Sequence, residues 1–234
     1  MALLHHDDRW EPDFLAATAP VLDTDPEVGM VVVGAEDIDS QGGSLGVRPS
    51  RMTPGKQSDA LELLLARDFM LMLPSVILFR GRALEANRRP WPDNNIADVT
   101  MYLDVAARGW KLFHVAEVLA QYRNHPEQAS VQTVRHRRDA AALWDSYHFE
   151  DPLHERLRRR RVSEALMSEA GIEIREGTPA AARRALRRGA RLSLRALGAR
   201  WAAIWFLSFV PGLVPRVHAH WARVRDPVAT RHKG

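Results

Sequence analysis

The chain has 234 residues, enough for one domain with an extension or for two small domains, and its 46% apolar content is typical of a globular protein. It contains no cysteine, which excludes a disulfide framework and a cysteine-ligated zinc site. The formal net charge is +4 and no apolar run reaches the ~18 residues typical of a transmembrane helix.

The first informative stretch is LLHHDDRWEPDFL, from Leu3 to Leu15. A short apolar run ends in two histidines and two adjacent carboxylates, Asp7 and Asp8. We predict a buried strand over 2–5 and a helix over 12–25, since a proline suits the first helical turn. Paired carboxylates after a strand are suitable ligands for a hard divalent cation, Mg²⁺ or Mn²⁺. A solvated loop without a metal is the alternative.

The following segments predict a sheet with helices around it. Residues 28–35 (VGMVVVGA) form a continuous apolar, β-branched run, which is typical of a central buried strand. Residues 44–57 are rich in Gly, Pro and Ser and are predicted to be a surface loop. The other elements predicted before residue 90 are a helix over 59–73 with Ser58 as its N-cap, a strand over 75–80 ending in Arg80, and a short helix over 82–87.

A second acidic motif follows in a helix that begins near Ile96 and has Gly109 as its C-cap. Asp98 lies at the start of this helix. A carboxylate in this position commonly serves as a helix cap. A weaker strand over 113–120 follows, with Arg123 and His125 just beyond it.

Both motifs resemble those of family 2 glycosyltransferases, which are inverting enzymes with the nucleotide-diphospho-sugar fold called GT-A. In that family a strand ends in aspartates, and an aromatic residue and a Pro-Asp-x-Leu segment follow. Here the matching residues are Asp7, Asp8, Trp10 and Pro12-Asp13-Phe14-Leu15. The family also has a helix that begins with an acid and continues with Leu, Ala and Gly, as Asp98, Leu103, Ala106 and Gly109 do here.

The resemblance covers about residues 1–131 and implies an α/β fold, a partial GT-A sheet flanked by helices, with a basic helical extension over 132–234. It implies transfer of a sugar from a nucleotide-diphospho-sugar donor to a cell-surface glycan or lipid-linked acceptor. The implied base is Asp98, and Asp8 and Asp7 are the implied ligands for Mg²⁺ or Mn²⁺. The implied substrate-binding residues are Asp7, Arg80, Arg123 and His125. A simple edge charge is the alternative for Arg80, and an ordinary surface position is the alternative for Arg123 and His125.

Two departures from the family pattern change these expectations. The family often has an acid two residues before the first aspartate, and His5 stands there, so we expect the ion to be one ligand short. Family members also carry a preceding segment that forms the first strands and the pocket for the nucleotide base. We therefore expect a fragment, a chain with a late start or a chain without its donor-binding half, with weak or no transferase activity on its own.

The C-terminal extension is basic. From Thr178 to Arg225 the sequence contains no Asp or Glu, and six arginines lie between 183 and 195. The apolar run 201–210 (WAAIWFLSFV) follows; as a helix it is about 15 Å long, half the hydrocarbon thickness of a bilayer. We predict that residues 179–225 bind an anionic membrane surface without crossing it, which implies a cytoplasmic protein on the inner face of the cell membrane. Packing of the run on the catalytic domain is the alternative.

Two further functions stand beside the transferase. One is a non-enzymatic remnant that binds a membrane or a partner through its basic helices. The other is nucleic-acid binding, suggested by the pI of about 9.9. The arginines lie beside an apolar, Trp-rich segment and are not interleaved with exposed aromatics, so we expect no nucleic-acid partner.

Overall fold

The computed structural model describes residues 1–50, 52–66, 73–85, 96–125, 134–193, 198–210 and 213. Its contacts divide the chain into two compact units. The first unit consists of Met1–Val131 and Asp151–Leu157, and the second of Gln132–Glu150 and Arg158–Gly234.

The first unit is a mixed α/β structure, which confirms the predicted class. Within the described residues its sheet has six strands: Arg9–Trp10 (β1), Val28–Ile38 (β2), Ser44–Val47 (β3), Gly55–Gln57 (β4), Ile77–Phe79 (β5) and Lys111–Arg123 (β6). The long strands β2 and β6 run parallel in the centre. The outer edge of β2 pairs antiparallel with β5 and β3, and that of β6 with β4 and β1.

The core of this unit surrounds β2. The strand is buried from Val28 to Ala35, and the side chains of Val28 and of Met30 to Val33 are completely buried, because the strand is covered on both faces. The helices of the unit are Phe14–Thr24 (α1), Ala60–Ala66 (α2), Gly81–Glu85 (α3) and Ala97–Ala107 (α4). Tyr102 of α4 is fully buried and stacks on Phe79 of β5, with the ring centroids 5.8 Å apart.

The second unit is helical in its described residues. Its helices are Val134–Asp145 (α5), most of Pro152–Arg175 (α6), Pro179–Leu192 (α7) and Ala199–Leu207 (α8). Helices α6 and α7 meet closely at Gly189, whose carbonyl accepts a hydrogen bond of 3.0 Å from the hydroxyl of Ser163. Among the described residues, no helix combines the length and the apolar character needed to span a bilayer.

Several predicted elements differ from the structure. The predicted strand over 2–5 is wrong: Ala2 makes an isolated bridge with Leu78, and the chain then turns before β1. The predicted loop over 44–57 instead contains β3 and β4. Asp59 rather than Ser58 caps α2, because its carboxylate accepts a hydrogen bond of 2.8 Å from the N–H of Glu62. The ends of the predicted helices at 67–72 and 86–87, residues 194–197 of the basic extension, and most of the tail beyond 210 lie outside the described residues.

Candidate metal and acid–base site

An acidic turn leads into β1. The N–H of Asp8 donates to the carbonyl of His5 at 3.1 Å, which reverses the chain. Strand β1 then pairs antiparallel with the last residues of β6, with Arg9 opposite Gln121. Because β2 and β6 are parallel, this pairing places the turn beside the carboxyl ends of both central strands, the usual place for ligand sites in α/β sheets.

Asp8 is buried, with 7% of its surface exposed. One carboxylate oxygen accepts a hydrogen bond of 2.5 Å from the hydroxyl of Ser75, and the other accepts one of 3.0 Å from the N–H of Arg123. Burial raises the pKa of Asp8, and these two hydrogen bonds only partly oppose it. The Ser75 hydroxyl also accepts from the N–H of His5 at 3.1 Å, and the Ser75 carbonyl accepts from the indole of Trp10 at 2.6 Å.

Asp7 is paired with His125. One oxygen of the Asp7 carboxylate lies 2.9 Å from Nε2 of His125. Partial burial tends to raise the pKa of Asp7, but the hydrogen bond from His125 and the charge of His6 outweigh it, so the pKa is lowered. Asp7 is therefore the more readily ionised of the two neighbouring carboxyl groups.

His5 completes a set of possible metal ligands with Asp7 and Asp8. One ligand atom from each residue lies within 4.8 Å of the other two. The sequence analysis expected an ion short of one ligand, but the structure brings an imidazole to the place of the missing acid. Since histidine is itself a common metal ligand, the pattern His-x-Asp-Asp was a usable signal. One nitrogen and two carboxylates suit Mn²⁺ better than Mg²⁺, which favours all-oxygen coordination.

Asp98 lies in the first turn of α4 and is not its N-cap, which is Ile96. Burial raises the pKa of Asp98, opposed in part by a hydrogen bond from the N–H of Val99 and by the charge of His5. The hydroxyl of Tyr102 lies 3.4 Å from the Asp98 carboxylate. The charge of His5 also lowers the pKa of Asp8, so this imidazole is within electrostatic range of both carboxylates.

Arg123 connects the acidic turn to the loop after β2. Its guanidinium donates to the carbonyl oxygens of Asp7 at 2.8 Å, Asp39 at 2.9 Å and Ser40 at 3.1 Å. The loop itself is held by the Asp39 carboxylate, which accepts hydrogen bonds from the N–H groups of two following residues, Gln41 and Gly43. Arg123 thus fixes the backbone of the site and leaves positive charge at this edge of the sheet.

Arg80 lies away from the acidic turn. Its guanidinium donates to the carbonyl oxygens of Val28 at 2.7 Å, Asp25 at 2.8 Å and Leu22. These carbonyls belong to the end of α1, the turn after it and the first residue of β2, whereas Arg123 pairs with the carboxyl end of that strand. These contacts join α1 to β2, so Arg80 is more than a simple edge charge; its substrate contact stays a prediction.

Comparison with models of known protein families and with curated proteins finds no match for this chain. The functional argument therefore depends on the site itself. At the carboxyl end of the parallel strand pair it combines the possible metal ligands His5, Asp7 and Asp8 with the guanidinium of Arg123, and it includes Asp98, a carboxyl group with a raised pKa. Such a site has the groups needed to hold a divalent cation with an anionic ligand and to accept a proton.

Proposed function

We propose that the first unit is a partial GT-A domain that binds a nucleotide-diphospho-sugar with a divalent cation and serves inverting transfer to a hydroxyl acceptor, on a glycan or a lipid-linked molecule. The observation that carries the proposal is the cluster of His5, Asp7 and Asp8, whose possible ligand atoms lie within 4.8 Å of one another beside the carboxyl end of β6. The charge of His5 also lowers the pKa of Asp98, which supports a common region for the two acidic motifs, as the resemblance to family 2 glycosyltransferases requires.

In this proposal His5, Asp7 and Asp8 hold the cation, and Mn²⁺ fits these ligands better than Mg²⁺. A bound ion would neutralise charge on the departing nucleoside diphosphate. The surrounding residues hold the ligands in place: His125 orients the Asp7 carboxylate, and Ser75 fixes that of Asp8. Such outer partners are a regular part of metal sites.

Asp98 is the proposed base. Inverting transfer is a single displacement, in which the acceptor oxygen bonds to the anomeric carbon as the bond to the nucleoside diphosphate breaks. The Asp98 carboxylate takes the proton of the acceptor hydroxyl. A carboxyl group whose pKa is raised by burial is a stronger proton acceptor once ionised, and it titrates closer to neutral pH.

Calorimetric titration with MnCl₂ and with MgCl₂ tests the metal site. We expect tighter binding of Mn²⁺, and we expect Asp8→Asn to weaken it about 10- to 100-fold or more, the range known for changes around metal ligands. Asp13→Asn is the matched control, because Asp13 is an exposed carboxylate in the same stretch. Equal Mn²⁺ affinity in the wild type and Asp8→Asn would contradict the site.

Titration with UDP and GDP, with and without Mn²⁺, tests the donor site. We expect Mn²⁺-dependent nucleotide binding that Asp8→Asn removes and Asp98→Asn leaves in place. With UDP- and GDP-sugars as donors, any sugar transfer should fall about 10²- to 10⁴-fold in Asp98→Asn, the usual contribution of a general base. Transfer that is unchanged in Asp98→Asn would contradict the assigned base.

A non-enzymatic remnant is the second candidate, and one observation favours it. The Arg123 guanidinium, which the resemblance assigns to the substrate, donates to three backbone carbonyl oxygens. A remnant would retain Mn²⁺ binding and show no nucleotide binding in the presence of Mn²⁺. The two titrations therefore separate the candidates.

A further inference from the structure

Helix α8 exposes an apolar face. Its sequence is ARWAAIWFL, and none of its residues is buried. The side chains of Phe206 and Phe209 are 60% and 58% exposed, and Leu213 beyond the helix is 37% exposed. Large apolar side chains grouped in this way mark an interaction surface, whereas single ones are ordinary.

The opposite face of α8 packs on its own unit. Trp201 and Trp205 stack with their ring centroids 5.3 Å apart, and the Trp201 indole donates to the carbonyl of Leu186 in α7 at 3.3 Å. Ser208, just after the helix, is buried. At 100° per residue, Ala199, Ala202, Ala203 and Phe206 fall on the outer face, which therefore carries no charge.

Helix α7 supplies the cations beside this face. Arg183 and Arg187 lie over the aromatic rings of Phe209 and Trp205, at 4.9 Å and 5.4 Å from the ring centroids. These contacts bind α8 to α7 and hold positive charge close to the apolar face. Exposed arginines at helical spacing form a second row along α7, namely Arg184, Arg188 and Arg191. The absence of any acid between Thr178 and Arg225 leaves this charge largely uncompensated within the segment.

We propose that the α7–α8 hairpin docks on an anionic lipid surface, with Phe206 and Phe209 inserted among the acyl chains and the arginines on the phosphate headgroups. Charge complementarity identifies the occupant: the charged side chains that α7 and α8 themselves supply beside the apolar face are all arginines, which suits anionic lipid. A helix of nine residues is about 13 Å long, so it lies in the interface and does not cross a bilayer of about 30 Å hydrocarbon thickness. The proposal is independent of the transferase reaction.

The structure also refines the predicted set of contacts. The sequence assigned all six arginines from 183 to 195 to lipid. Arg183 donates instead to the carbonyl of Ser208 at 2.5 Å, and Arg188 pairs with Asp145 of α5 at 2.5 Å. Arg195 lies outside the described residues. The main lipid contacts are therefore expected from Arg184 and Arg191.

Flotation of the full chain with vesicles tests this proposal. We expect binding to phosphatidylcholine vesicles that contain phosphatidylglycerol, little binding to pure phosphatidylcholine, and weaker binding at high salt. Phe206→Ser should lower vesicle affinity about tenfold, since burial of one aromatic side chain has about this effect. Leu45→Ser in β3 is the matched control, because Leu45 is also 60% exposed. Arg184→Glu with Arg191→Glu should reduce binding to anionic vesicles and leave any binding to neutral ones unchanged.

Three results would overturn the proposal: no binding of the wild type to anionic vesicles, equal binding by the wild type and Phe206→Ser, or equal loss in Leu45→Ser. A self-association that Phe206→Ser abolishes, with no vesicle binding, would assign the face to a second copy of the chain. Circular dichroism and thermal unfolding of each variant show whether lost binding comes from the surface or from unfolding.

Discussion

Asp98 provides the most direct connection between charge and stability in the first unit. Burial raises the pKa of its carboxyl group above that of the unfolded chain, so the folded protein binds the proton more tightly. Its contribution to stability is therefore fully present below the unfolded pKa, about 3.9, and is lost as the pH rises through the folded pKa. We expect Asp98→Asn to raise the free energy of unfolding at pH 7–8 by about 1 kcal/mol.

Urea unfolding at several pH values measures this effect. The extra stability of Asp98→Asn over the wild type should shrink as the pH falls towards the pKa of an ordinary carboxyl group. Glu117→Gln is the control, because Glu117 is an exposed carboxylate of β6. A loss of stability in Asp98→Asn at neutral pH would show that the ionised carboxylate stabilises the fold, and would contradict the assigned direction of the pKa.

Ser75 supports the acidic turn. Its hydroxyl is buried, donates to Asp8 and accepts from the N–H of His5. We expect Ser75→Ala to lower the free energy of unfolding by about 1–3 kcal/mol, because it leaves buried polar groups without a partner. Ser44→Ala removes a similar hydrogen bond to a carboxylate, that of Glu36, at an exposed position. Chemical denaturation should show a change in the free energy of unfolding below about 0.5 kcal/mol for Ser44→Ala. Equal losses of stability in Ser75→Ala and Ser44→Ala would contradict a stabilising role for the buried hydrogen bonds of Ser75.

Single residues of the site were predictable to different degrees. Asp7, Asp8 and Asp98 follow from local patterns, because carboxylates after an apolar run or at a helix start are visible in the sequence. The contacts of Arg80 and Arg123 are not visible there. Arg80 follows β5 and Arg123 is the last residue of β6, but β5 runs antiparallel to β2 and β6 runs parallel to it, so the two arginines come to opposite ends of the sheet. Strand direction depends on pairing between distant segments.

At the scale of the elements, the position of β2 depends on a glycine. A Cβ atom added to Gly29 would lie 2.7 Å from the Cβ of Trp110, and the Trp110 ring is covered by the guanidinium of Arg82. We expect Gly29→Ala to lower the free energy of unfolding by about 1–3 kcal/mol through overpacking. Gly81→Ala is the control, since no atom lies within 4 Å of its added Cβ. Thermal unfolding compares the two variants with the wild type. Equal melting temperatures for Gly29→Ala and the wild type would show that β2 can move away from Trp110 without loss of stability.

Long elements with a strong pattern were predicted well, and short ones were not. The apolar run of β2 and helix α4 depend on local sequence; α4 ends at Ala107 with Arg108 as its C-cap, and Gly109, predicted as the C-cap, follows directly with a positive φ of 83°. Strands β1, β3 and β4 are two to four residues long and depend on partners in β2 and β6. Their own sequences, such as SLGV and GKQ, are also compatible with a loop, which explains why 44–57 was predicted as one.

At the scale of the whole molecule, the two proposed ligands should have separate footprints. We expect Mn²⁺ to slow amide hydrogen exchange in β1 and at the carboxyl end of β6, where the acidic turn pairs with the sheet. A ligand at 100 times its Kd stabilises the folded state by about 2.7 kcal/mol. Anionic vesicles should instead slow exchange in α8. Exchange measured by mass spectrometry compares the wild type with Asp8→Asn and Phe206→Ser; protection by Mn²⁺ that survives in Asp8→Asn would place the ion elsewhere.

The position of Trp10 has a practical consequence. Its ring stacks on Phe14 with the centroids 4.4 Å apart, and its indole N–H donates to the carbonyl of Ser75, the residue whose hydroxyl holds Asp8. The fluorophore is thus two hydrogen bonds away from a possible metal ligand. Its emission should respond when Asp8 gains or loses a cation, and a difference spectrum against Trp10→Phe would isolate that signal from the other tryptophans. The fluorescence of Trp10 should therefore report cation binding at the adjacent acidic turn without an added label.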